Sequence, residues 1–150
     1  MDIEHILNKL LTEDGRRRAI WILLNSGMLT NSDVKPKEPV IEDNDLSEME
    51  LNIFDTIESL LFMDEYDQAY TLAVKAIRDL MQVGKFKSAL YVCQMIGDEI
   101  LRREILSKGL KYYESRGDFK KAMDFAMALG DIERHKIYKY LYELYCRIIK

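Results

Sequence analysis

Metal binding or nucleophilic catalysis would have to be built here from very few side chains, since His5, His135, Cys93 and Cys146 are the only histidines and cysteines. The histidines stand 130 residues apart, and no Cys-x-x-Cys, His-x-x-x-His or Glu-x-x-His occurs, so no ligand pair arises from sequence neighbours. His135 has Asp131 four residues earlier on the same helical face, the place of an orienting carboxylate for a general base. No nucleophile is set by the same spacing, and a solvated surface histidine between Arg134 and Lys136 is the expectation. Cys93 and Cys146 each fall inside an apolar helical pattern and read as buried free thiols of a reducing compartment. The glycines are isolated turn residues, which is not a phosphate loop, and Asp43-Asn44-Asp45 lacks the Gly and terminal Glu of a calcium loop. Asp55, Glu58 and Glu65 read as solvated helical carboxylates. The expectation is no catalytic residue, no cofactor and no metal: not an enzyme.

Charge is uneven along the chain. Residues 31–50 carry net −5, residues 51–100 net −4 and residues 101–150 net +5, within a total of −4. A sequence pI of about 5.3 is far from that of a general nucleic-acid binder, which usually exceeds about 9. The last fifty residues nevertheless combine twelve bases with six of the nine tyrosines, the composition of a base-stacking surface. A second basic cluster, Arg16-Arg17-Arg18, opens a stretch that resembles the first helix of a winged-helix domain. That resemblance ends at Pro36 and Pro39, where the winged-helix fold needs two further helices. Nucleic-acid binding through the C-terminal third is therefore the alternative reading, not the first.

The elements that would position any site are long helices. Gly and Pro total 9 of 150 residues, below the roughly 12% of average usage, so a β-sandwich or barrel lacks its turns. Ile3, Ile6, Leu7, Leu10 and Leu11 form one helical stripe, and a second helix follows from about Arg16 to Asn25 with Gly27 beyond its end. The apolar run Ala19–Leu24 of that helix points all round its axis, as in a helix that is sandwiched or lies in an interface. At six residues it is far short of the roughly 20 that span a bilayer. The opening Met1-Asp2-Ile3-Glu4-His5 lacks the basic region of a secretory signal, so a cytoplasmic protein is expected. Both prolines lie in residues 29–48, which read as an acidic linker closed by a capping box of Ser47 and Glu50.

From residue 51 the punctuation becomes regular. Asp64, Gly84, Gly97, Gly117 and Gly130 are spaced 20, 13, 20 and 13, a period of 33. At that period Ile53, Phe86 and Phe119 align, then Thr56, Ala89 and Ala122, then Leu60, Cys93 and Ala126. Gly109, in the middle of a long helix, aligns with Ala76 and so marks a place for a small side chain. Three units follow, 51–83, 84–116 and 117–149, each a helix of about eleven residues, a turn and a helix of about seventeen. No such hairpin buries its apolar face alone, so neighbours must stack.

Gly84-Lys85-Phe86-Lys87-Ser88-Ala89 and Gly117-Asp118-Phe119-Lys120-Lys121-Ala122 resemble the turn and following helix of tetratricopeptide repeats. Gly84, Phe86, Ala89, Gly97, Gly117, Phe119, Ala122 and Gly130 are the repeat-defining positions under that resemblance. It implies protein–protein binding. The expected fold is all-α: an N-terminal helical hairpin (1–28), the linker (29–48) and three stacked αα-hairpin repeats (49–150) in a tetratricopeptide-like solenoid. The expected function is a non-catalytic interaction scaffold or adaptor for another protein.

One surface stands out. The final helix carries two apolar stripes, Ile137-Leu141-Leu144-Ile148 and Tyr138-Tyr142-Tyr145-Ile149. One stripe suffices to dock on the preceding repeat, so the tyrosine stripe needs another cover. A homodimer through Tyr138, Tyr142, Tyr145 and Ile149 is the expectation; the alternative is that the helix bearing Trp21 folds back over it.

Overall fold

The computed structural model describes residues 3–42 and 46–150. The acidic run Asp43-Asn44-Asp45 and the opening Met1-Asp2 lie outside the described residues. Among the described residues there are eight α-helices and no strand. They are α1 (Ile3–Leu10), α2 (Glu13–Asn25), α3 (Glu48–Phe62), α4 (Tyr66–Gln82), α5 (Phe86–Ile96), α6 (Glu99–Arg116), α7 (Phe119–Leu129) and α8 (Ile132–Ile148). No described helix is long and apolar enough to cross a membrane.

The 33-residue period recurs in the helix boundaries. α5 and α7 begin at Phe86 and Phe119 and end at Ile96 and Leu129, while α4, α6 and α8 begin at Tyr66, Glu99 and Ile132. Each expected turn position has a positive φ: Asp64 at 59°, Gly84 at 79°, Gly97 at 68°, Gly117 at 77° and Gly130 at 78°. The left-handed region costs an L-residue roughly 1–2 kcal/mol and glycine almost nothing, which explains four glycines in five. Asp64 is the exception. Asp64→Gly is expected to raise stability by about 0.5 kcal/mol, or about 1–2 °C in a thermal melt. A lower melting temperature would mean that the exposed bond from the Tyr66 hydroxyl to Asp64 (2.8 Å) outweighs the backbone strain.

The chain divides into two compact units, and the division falls inside α6, between Gly109 and Leu110. The sequence expectation set the N-terminal hairpin apart from the repeats. Instead, residues 1–42 and 110–150 form one unit and residues 43–109 the other.

In the 43–109 unit, α4 packs on α3 and α5, and α3 also meets α5. Ala69, Ala73, Ala76 and Ile77 of α4 and Phe86, Ala89, Val92 and Cys93 of α5 are buried. Small residues on α4 let its neighbours approach closely. Ser47 caps α3 as its sequence promised, accepting from the Glu50 N–H at 3.2 Å. Glu50 goes further than a capping box: buried, it also takes bonds from the Lys85 ammonium and, at 2.9 Å, from the Ser88 hydroxyl. Burial pushes its pKa upward, but the hydrogen bonds from Lys85, Ser88 and Ser47 outweigh that and hold it below the usual carboxylate range. Its contribution to stability is thus complete above about pH 4.3 and is lost as pH falls through the depressed folded value. Glu50→Gln is expected to cost about 1–3 kcal/mol at pH 7. Urea melts at pH 7 and pH 3 check this, the gap between variant and parent narrowing in acid.

In the other unit, α2 packs on α1 and on α8, and α7 packs on α8. The reading of α2 as apolar all round holds, with Ala19, Ile20, Ile22 and Leu23 fully buried. Residues 29–42 carry no helix yet are held in place. Pro39 is buried, the Val40 N–H donates to the Arg116 carbonyl at 2.8 Å, and the Lys37 N–H donates to the Arg17 carbonyl at 3.1 Å. Arg18, also buried, bridges this segment to the end of α6 by donating to the carbonyls of Glu38 and Ser115.

Candidate interaction surface

The tyrosine stripe of α8 is not a free surface. Tyr138 is wholly buried, stacked on Phe119 with ring centroids 5.8 Å apart, and its hydroxyl donates to Glu114. Tyr138 as a contact for a second copy is therefore corrected: it is a core residue, packed on Phe119 at the start of α7 and bonded to Glu114 near the end of α6. Tyr142, Tyr145 and Trp21 are half-buried, and Ile149 alone of the five expected interface residues is exposed. Glu114 itself is buried between elements far apart in sequence, its second oxygen accepting from the Thr12 N–H at 2.8 Å. Nothing in the sequence separates this glutamate from a solvated one.

The chemistry-bearing side chains are engaged structurally. Asp131 caps α8 through the Arg134 N–H (3.1 Å) and pairs with the Arg134 guanidinium (2.8 Å). His135 is half-buried rather than solvated, with Nδ1 3.2 Å from the Met123 carbonyl. Cys93 is buried as expected, and burial pushes its thiol pKa up, away from nucleophilic use. Cys146 is half-buried. Of the basic side chains in the last third, Arg116 pairs with Glu42, Lys120 with Asp124 and Lys121 with Asp118. Tyr113 joins Tyr138 in the core. A base-stacking surface loses those members.

Of the repeat-defining residues, Phe86, Ala89, Phe119 and Ala122 act in packing, while Gly97 and Gly130 are exposed C-caps of α5 and α7. Phe86, Ala89 and Cys93 of α5 are at most 4% exposed, and so are Phe119, Ala122 and Ala126 of α7. The same three positions in α3 differ: Ile53 and Leu60 are half-buried and Thr56 is exposed. Met49 (72% exposed) and Met63 (60%) extend that line at both ends. The spacing 49, 53, 56, 60, 63 is a helical stripe, lying about 100° round the axis from the buried Glu50, Phe54 and Ile57. In α5 the corresponding face is shut by neighbours, and α4, the helix before it in the chain, packs on α5. α3 has no hairpin before it in its unit, so the face that every later repeat buries stays open.

A hollow of about 350 Å³ lies along α4, lined by Tyr70, Thr71, Val74, Lys75, Arg78 and Asp79. Its mixed charges select no one chemistry.

No family model matches the chain, and no curated protein or solved structure matches it.

Proposed function

We propose that this chain is a non-catalytic helical-repeat adaptor of tetratricopeptide-like type, which holds a segment of another protein against the open face of its first repeat. The observation that carries the reading is the α3 stripe Met49-Ile53-Thr56-Leu60-Met63, whose three central positions have buried equivalents in α5 and α7. Repeat arrays normally close their ends with a polar face, and an apolar face left at one end is a docking surface. Recurrence of helix boundaries every 33 residues supports the repeat assignment. Engagement of the conspicuous polar side chains in caps and core bonds is in keeping with a binding role.

A photo-crosslinking residue at exposed position 56, in the full chain expressed in its native cells, tests the proposal. One discrete protein adduct is expected from position 56 and none from Lys87, on the exposed side of α5. Nucleic-acid adducts, or adducts equal from both positions, would overturn it in favour of the other reading or of no binding at all.

A further inference from the structure

We infer that the open stripe of α3 seats an amphipathic helix rich in Lys and Arg, carried by another protein. This rests on the adaptor reading and names the partner's chemistry. Between Lys37 and Lys75 the chain carries eleven acids and no base. Glu48 and Asp55 lie on the exposed side of α3 beside one edge of the stripe, roughly 100–120° round the axis from its middle, and Glu58 lies farther round. Neither Glu48 nor Asp55 forms an ion pair among the described residues. A partner that lays apolar side chains along Met49, Ile53, Leu60 and Met63 therefore brings its exposed flank beside the uncompensated charge of Glu48 and Asp55. Cationic flanks are attracted and acidic ones repelled.

The same charge argues against a second copy. Two α3 helices packed on each other along this stripe would bring the Glu48 and Asp55 edge of each beside an equally acidic copy, with no base to compensate it. An extended peptide gains little here either, because α3 has its backbone groups bonded along the helix and offers no strand edge. A helix presents side chains at the matching 3.6-residue period. Exposed methionines at both ends suit it, since their flexible, polarizable side chains adapt to varied apolar partners.

The test uses the full chain and an 18-residue synthetic helix-forming peptide with leucines on one face and lysines on the other. Two peptides serve as comparisons: the same composition scrambled, and the same pattern with glutamate for lysine. Micromolar binding of the patterned Leu/Lys peptide is expected, with the scrambled and the glutamate peptides each weaker by about ten-fold or more. M49Q/M63Q, which alters only exposed side chains, should weaken binding by about ten-fold at unchanged melting temperature. E48Q/D55N should flatten its salt dependence, while E99Q/E104Q on α6 should leave binding unchanged. Equal binding of scrambled and patterned peptides, or indifference to both α3 variants, overturns the inference. So does a dimer mass by light scattering that M49Q/M63Q returns to monomer, because the second copy is then the occupant. If the peptide fails but position 56 still crosslinks one protein, the adaptor reading stands and only the partner's chemistry is wrong.

Discussion

Gly117→Ala is expected to cost about 3 kcal/mol, whereas Gly130→Ala, at nearly the same backbone geometry, should cost only about 1. Both glycines have φ near +78° (77° and 78°), so the left-handed strain on an alanine is common to the two. Their surroundings differ. A Cβ at Gly130 meets nothing within 4 Å. At Gly117 it would stand 2.9 Å from Arg18 Cβ, Arg18 Cδ and Pro39 Cβ. Arg18 cannot move aside freely, because its guanidinium is bonded to the Glu38 and Ser115 carbonyls. Pro39 cannot move either, since the next residue, Val40, is tied to the Arg116 carbonyl. The close approach of α2 and the 29–42 segment to the α6–α7 turn thus demands the missing side chain. Urea denaturation of the two variants measures the difference. Equal losses would show that the segment yields and that only the backbone strain is felt.

That contrast separates what the sequence could disclose from what it could not. Gly117 and Gly130 are legible as turn residues because a positive φ leaves a local mark, and local marks at fixed spacing gave the helix boundaries. The second role of Gly117 depends on Arg18 and Pro39, about 100 and 80 residues away, and no local pattern records it. The same holds for the tyrosine stripe. Its apolar spacing was visible, but which surface covers it depends on where α1 and α2 fold, and both covers were compatible with the pattern. The α3 stripe lies between these cases. Its alignment with Phe86, Ala89 and Cys93 was plain, yet that it stays open follows from chain connectivity: no hairpin precedes it in its unit. Glu114 was hidden altogether, and of Glu50 only the capping box with Ser47 was legible, because a buried carboxylate is distinguished by its partners, and Lys85, Ser88, Thr12 and Tyr138 lie far along the chain.

Glu114→Ala is expected to cost about 3–5 kcal/mol, the largest effect of any substitution considered. The carboxylate joins three parts of its unit: the Thr12 N–H at the start of α2, the end of α6 that bears it, and the Tyr138 hydroxyl in α8. Truncation strands the buried Tyr138 hydroxyl and the half-buried Thr12 N–H and leaves a void beside Gly15, where Glu114 Cγ would lie only 2.8 Å from an added Cβ. Tyr138→Phe removes one donor and keeps the ring stacked on Phe119, so about 1.5–3 kcal/mol is expected at pH 7. The two variants also differ from the parent in alkali. Burial, then the negative charge of Glu114 and its hydrogen bond, raise the Tyr138 pKa well above the usual tyrosine value. A group whose folded pKa is raised contributes fully below its unfolded pKa and loses that contribution as pH rises above it. Above about pH 10 the unfolded chain sheds the tyrosine proton while the folded chain keeps it, and stability falls by about 1.4 kcal/mol per pH unit. Tyr138→Phe has no such proton, so the gap between parent and variant should shrink by about 1 kcal/mol from pH 10 to pH 11, where the unfolded tyrosine is only part-way ionised at the start, with every other titrating group cancelling in the difference. Parallel stability curves over that range would mean that Tyr138 ionises in the folded chain as easily as in water, and that the Glu114–Tyr138 bond does not hold this unit together.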